Sequence, residues 1–140
     1  MAKPASLQKK QYEALAAFRY AFRRFIHFSE SAAETVGLTP QQHQALLAIK
    51  GFPARDSVTV GELAERLQLR HHSVVGLVDR MVAEKLVERA SSEKDRREVL
   101  IQLTSRGEKS LAKLSTIHRQ QLKRIAPELS RLLGHFNAGE

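Results

Sequence analysis

Apolar and polar positions follow a helical period along most of the chain and switch to alternation in one short stretch. From Leu7 to Val36, Leu15, Phe18, Phe22, Phe25, Ile26 and Ser29 recur at three–four spacing, which predicts one long helix ended by Gly37. This stripe is more aromatic than one small domain usually covers. A partner subunit or a well-filled intramolecular core would each account for it. Thr39-Pro40-Gln41-Gln42 has the form of a capping box with proline in the first helical position. The helix it opens carries Ala45, Leu46 and Ile49 and ends near Gly51. After a short loop, Val58 is expected to add a small strand beside a later hairpin.

The stretch from Val58 to Leu103 organises the rest. Thr59-Val60-Gly61-Glu62 is a second capping box, and Leu63, Ala64 and Leu67 face inward from the helix Val60 to Leu67. The turn is Gln68-Leu69-Arg70, with an apolar residue at its centre. Gln68 stands near the place where such turns commonly use glycine, at a cost if φ is positive. A second helix runs from His71 to Lys85, with Val74, Leu77, Val78 and Met81 at i, i+3, i+4 and i+7. Two helices joined by so short a turn, crossing at the small Ala64, have the form of a helix-turn-helix. A hairpin follows. Its first strand is Leu86 to Arg89. Its second is Val99 to Leu103, where Val99, Ile101 and Leu103 alternate. The segment from Ala90 to Glu98 is too polar to pack and should project as a wing. Beyond it, Thr104 or Ser105 caps a helix carrying Leu111, Leu114, Ile117, Leu122 and Ile125. Pro127 is expected to interrupt this helix after Ala126, leaving a short last helix from Glu128 to Phe136 with Leu129, Leu132 and Leu133.

The outward face of the second reader helix carries His72, Val75, Gly76, Asp79 and Ala83, flanked by Ser73 and Arg80. Small and hydrogen-bonding groups suit a surface that enters a DNA major groove. His72 and Ser73 can bond base edges, Val75 can meet a thymine methyl, and Gly76 permits close approach. Arg70 and His71 stand where the turn meets this helix, and Arg80 is open to either a phosphate or an ion pair. Asp79 would be repelled by phosphate unless an arginine neutralises it. In the wing, Lys94, Asp95, Arg96 and Arg97 sit at or near the tip, and a wing arginine suits a narrow minor groove. The bland alternatives are an ordinary surface helix and a solvated charged loop.

Composition changes this picture only at the margins. With 140 residues the chain is expected to be one domain. The net charge of +8 favours a polyanionic partner. The charge is concentrated at the ends, in Lys3, Lys9, Lys10, Arg19, Arg23 and Arg24 and again after Arg106. In the reader, Glu62, Glu65, Asp79, Glu84, Glu88, Glu93, Asp95 and Glu98 nearly balance the bases. There is no cysteine, which removes disulfides, thiolate metal sites and thiol redox sensing. No apolar run approaches the roughly 18 residues of a membrane span, and no signal pattern stands at the start, so a cytoplasmic protein with no membrane association is expected. His27, His43 and His118 lie on separate helices. His71 and His72 point about 100° apart on one helix and are poorly placed to share a metal. No motif assembles a catalytic site, and no cofactor is expected.

On Leu77-Val-Asp-Arg-Met81, Lys85-Leu-Val-Glu-Arg89, Asp95-Arg-Arg97 and Val99-Leu-Ile-Gln-Leu-Thr104 with Gly107, the chain resembles the MarR (multiple-antibiotic-resistance regulator) family over nearly its whole length. Lys85 replaces a glycine often found before Leu-Val there. The resemblance implies a mostly α protein with a small β-wing, in which residues 39–104 form a winged helix-turn-helix and 7–36 and 105–140 form dimerisation helices. It implies a homodimer reading a pseudo-palindromic double-stranded operator, with half-sites about one turn (~34 Å) apart. The second reader helix would enter the major groove and Arg97 the minor groove, with Asp95 orienting the wing. Relatives usually repress genes and are released by small aromatic or phenolic effectors bound between dimerisation and reader regions. Arg19, Phe22, Ile26, His43 and Leu47 are the candidates for such a pocket here. The absence of cysteine and tryptophan removes peroxide-sensing and urate-sensing variants. A protein-binding adaptor and a non-specific DNA organiser are the competing readings.

Overall fold

The computed structural model describes residues 6–137; Lys3 and the last three residues lie outside them. The order is α1 Lys9–Thr35, α2 Pro40–Lys50, β1 Ser57–Val58, α3 Val60–Leu67, α4 His71–Ala83, β2 Val87–Ser91, β3 Val99–Leu103 and α5 Ser105–Asn137. This is the expected mostly α chain with a small antiparallel wing.

Local chemistry sets the boundaries. Both capping boxes form. The Gln42 and Glu62 backbone N–H groups donate to Thr39 and Thr59 Oγ1 at 3.1 Å, and each partner side chain returns the bond to the threonine N–H. Gly37 follows α1 with φ +77°, and the Leu38 N–H closes back on the Ala33 carbonyl. Of the two candidates, Thr104 caps α5: its Oγ1 accepts from the Gly107 N–H at 3.1 Å and donates to the Lys85 carbonyl.

The core lies under the reader. Leu46 and Ile49 of α2, Leu63 of α3, Val74, Val78 and Met81 of α4, Val58, Ile101 and Leu114 are all fully buried. Each large apolar side chain so buried stabilises the fold by about 1.5–3 kcal/mol. The sheet has the order β1-β3-β2, so Val58 does add the expected strand, pairing with Ile101.

Several expectations change, and the second reader helix ends at Ala83 rather than at Lys85, which takes a left-handed backbone. Pro127 does not end the helix: α5 is continuous through it. Proline forfeits one hydrogen bond and crowds the Lys123 carbonyl, but Lys123 and Pro127 are exposed, so water can satisfy that carbonyl. Leu132, buried beyond the proline, and Phe136, edge-on to Phe18, anchor the far half of the helix. The first wing strand begins at Val87 and absorbs Ala90 and Ser91, which pair with Leu100 and Val99. A ladder needs extended backbone rather than apolar side chains. Val99 is exposed, and of its alternating set Ile101 alone is fully buried.

The stripe on α1 is the largest difference. Its buried residues are Ala21, Ser29, Ala32 and Ala33. Phe18 and Phe25 are half-buried, while Leu15, Phe22 and Ile26 are exposed. With Leu7, Tyr12, Leu122, Leu133 and Phe136 they leave apolar surface along α1 and α5 that the described residues do not cover. The intramolecular-core alternative therefore fails for that face.

Candidate nucleic-acid interface

The turn between α3 and α4 works as its sequence suggests. Gln68 takes the left-handed conformation, φ +55° and ψ +44°, in the place where glycine is common. Its Nε2 donates to the Glu65 carbonyl at 2.8 Å, a local bond that offsets part of the cost. The Leu69 N–H closes on the Ala64 carbonyl, and the Leu69 side chain packs against the core. Arg70 then begins α4 without a side-chain cap. The first backbone N–H groups of α4 are thus left for an external acceptor.

One face of α4 is core: Val74, Leu77, Val78 and Met81 are at most 2% exposed. The opposite face is open. His71, His72, Ser73, Val75, Asp79 and Arg80 are exposed and Gly76 is half-exposed. A Cβ at Gly76 would meet only the Arg80 guanidinium, at an ordinary 3.6 Å. Nothing among the described residues demands glycine there.

The wing tip is held by its own backbone. The Ser92 N–H donates to the Glu98 carbonyl, and the Glu98 N–H to the Asp95 carbonyl, both at 3.0 Å. Asp95 Oδ1 accepts from the Arg97 N–H at 2.9 Å, and Ser92 Oγ accepts from the Lys94 N–H at 3.2 Å. Asp95 therefore fixes the tip turn, and Lys94, Arg96 and Arg97 project from it exposed.

The near-balance of charge in the reader resolves once partners are assigned. Asp79 pairs with Arg89 of β2. Glu62 pairs with Arg55, which with Arg66 also covers the Phe52 ring. Burial alone would raise the Glu62 carboxyl. The Thr59 backbone N–H and the Arg55 guanidinium outweigh it and hold the carboxyl below its ordinary value. Glu84 accepts from the Gln42 amide, and Glu88 from Gln102. Among the described residues Arg70, Arg80, Arg96 and Arg97 enter no ion pair. The carboxylates are largely engaged internally while the bases of helix and wing remain open. Arg89 is the partner of Asp79 that sequence reasoning did not identify. Asp79 lies ten positions earlier, and only the packing of β2 back against α4 brings the two together.

The candidate effector residues divide. Arg19, Phe22 and Ile26 line one groove of about 340 Å³ on α1 together with Phe18 and Arg23. His43 and Leu47 do not line it. Leu47 is exposed on α2, whereas His43 is buried and stacked on His118 of α5. Among the described residues no cluster of three or more metal-ligating side chains occurs, and no helix is long and apolar enough to cross a membrane.

Comparison with known proteins bears on the family and the fold. The family model described as MarR family matches residues 36–98. The HTH-type transcriptional repressor MdtR of Bacillus subtilis is 30% identical over 109 residues, covering 75% of this chain and 68% of that protein. The transcriptional activatory protein BadR of Rhodopseudomonas palustris is 34% identical over 76 residues, 54% of this chain and 43% of that protein. Among solved structures, a MarR family protein from Bacillus stearothermophilus superposes with a TM-score of 0.78 at 23% identity, over 95% of this chain and 96% of that one.

Proposed function

The chain belongs to the MarR family of transcriptional regulators, and from that membership we propose a cytoplasmic homodimer that represses genes by binding a pseudo-palindromic operator and is released by a small effector. The observation that carries the DNA-binding geometry is the asymmetry of pairing in the reader. Most of its carboxylates are turned to internal partners, while Arg70, Arg80, Arg96 and Arg97 are left open beside an uncapped helix start. In this reading α4 enters the major groove. His72 and Ser73 bond base edges, Val75 and Gly76 allow the approach, and Arg70, His71 and Arg80 hold the backbone. Arg97 enters the minor groove beside Lys94 and Arg96, on a tip that Asp95 shapes.

The uncovered apolar face of α1 and α5 supports the dimer. An exposed patch of this kind, carrying Tyr12, Leu15, Phe22, Leu122, Leu133 and Phe136, marks a protein interface. A second copy would supply a matching patch and place two readers about a dyad. The α1 groove, with Arg19 and Arg23 beside Phe18, Phe22 and Ile26, suits a small aromatic carboxylate. His43 and Leu47 would join such a site only through a rearrangement of α2. The repressor reading follows the name borne by MdtR.

Sedimentation of the protein with and without a labelled duplex tests the assembly. Two protomers per duplex are expected, with an affinity that falls steeply as salt rises. A folded monomer on each duplex, or binding indifferent to salt, would contradict it.

A further inference from the structure

His43 on α2 is 3% exposed, with its ring stacked on His118 of α5 at 4.7 Å between centroids and 26° between planes. His118 Nδ1 lies 2.7 Å from the Leu114 carbonyl oxygen, so that nitrogen carries the hydrogen and donates it. Its Nε2 then accepts from Ser29 Oγ of α1 at 2.8 Å. Phe25 and Phe28 of α1 meet the His118 ring edge-on at 6.1 and 5.9 Å. The pair thus joins the two long helices to α2, which in turn packs on α3 and α4.

The His43 side of this junction has no provision for charge. His43 Nδ1 is buried without a hydrogen-bond partner, and among the described residues neither imidazole pairs with a carboxylate. From α1 the facing groups are Phe25, Phe28 and Ser29, while the titratable His27 and Glu30 are exposed. From α5 the facing titratable group is His118 itself; Lys113 and Arg119 are exposed. On α2 the neighbouring Gln42 side chain is turned to Glu84 at the end of α4. A proton on His43 would place a charge in an apolar stack against a second imidazole.

We propose that the His43–His118 stack is an acid-sensitive latch, closed when the His43 ring is neutral and releasing α2 from the long helices in acid, so that DNA affinity falls as pH falls. Its last step rests on the DNA-binding reading above. Burial, and then the neighbouring His118, push the His43 imidazole down from 6.5 to about 4. A released His43 regains its ordinary value and takes up a proton that the closed state refuses. The stability contributed by the closed stack is complete above about pH 6.5 and is lost as pH falls from there toward about 4. Between about pH 8 and about pH 5 these two values favour the released form by roughly 30-fold.

Urea unfolding of the wild type and His43→Phe, at one protein concentration, tests the latch without DNA. Phenylalanine keeps a stacked ring and removes the proton site. From about pH 8 to about pH 5 the wild-type folding constant should fall roughly 30-fold further than the variant's; equal falls would overturn the latch. Imidazole resonances of the wild type give a second measure that needs no variant. A His43 midpoint clearly below the ordinary imidazole value supports the latch, and one at the ordinary value overturns it. On a labelled duplex enriched by in vitro selection, wild-type affinity should fall in acid relative to the variant, and parallel changes would overturn the link to DNA. Failure of both proteins to bind at either pH would overturn the DNA-binding reading, while unfolding and resonances still decide the latch.

Discussion

Asp79 on α4 and Arg89 on β2 form an ion pair across the junction of recognition helix and wing. Both side chains are largely exposed, so the pair itself stabilises the fold by only about 0.2–1 kcal/mol. Its larger consequence is electrostatic, because it neutralises the one carboxylate on the outward face of α4. Arg89→Ala should weaken DNA binding by about 1–2 kcal/mol with little change in stability, since Asp79 then faces phosphate unpaired. Adding Asp79→Asn should recover part of the loss. Titration of a labelled duplex with both variants checks this, and a loss that the second substitution deepens would refute it.

Arg97 stands exposed on a tip whose turn is fixed by Asp95. Arg97→Ala should cost about 1–3 kcal/mol of DNA affinity, as expected for a specific groove contact. A change under a few tenths of a kcal/mol in the same titration would remove Arg97 from the interface.

Gly107 touches the wing's root. A Cβ there would fall on the Leu86 carbonyl oxygen, which also accepts the Thr104 N–H. Gly107→Ala should therefore destabilise the fold by about 2 kcal/mol or more, because backbone rather than a flexible side chain must move. Urea unfolding reads this directly, and an unchanged midpoint would contradict the packing.

Lys85 has φ +62° immediately after α4. The left-handed region disfavours a residue with Cβ, so Lys85→Gly should raise stability by about 1 kcal/mol. The same unfolding experiment checks it, and a loss would mean that the lysine stem contributes more packing than its exposure suggests.

Phe22 is 54% exposed on the uncovered face of α1. Phe22→Asp should give a folded monomer, because no intramolecular core depends on that ring. Sedimentation together with circular dichroism reads both properties. A normal dimer would show that this face is not the interface.

What was legible in the sequence was mostly local. The capping boxes at Thr39 and Thr59 involve residues three apart, so chain order alone specifies them. The period of Val74, Leu77, Val78 and Met81 identified the buried face of α4 because a helix rotates its residues by a fixed angle. Contacts set by tertiary geometry were not legible. The arginine opposite Asp79 depends on how β2 packs back against α4, and the continuity of α5 through Pro127 depends on Leu132 finding a buried place beyond it. The α1 stripe showed that an apolar face exists but not that small residues such as Ala21 and Ala33 take the buried side. For the same reason the effector candidates looked like one set, although the fold separates His43 from the groove at Phe22.

In the proposed function, two copies of this reader recognise one duplex by sequence. Selection from random duplexes at near-physiological salt, read by sequencing, decides this. Enrichment of a palindrome with half-sites about one helical turn apart is expected. A folded dimer that enriches no motif would contradict it.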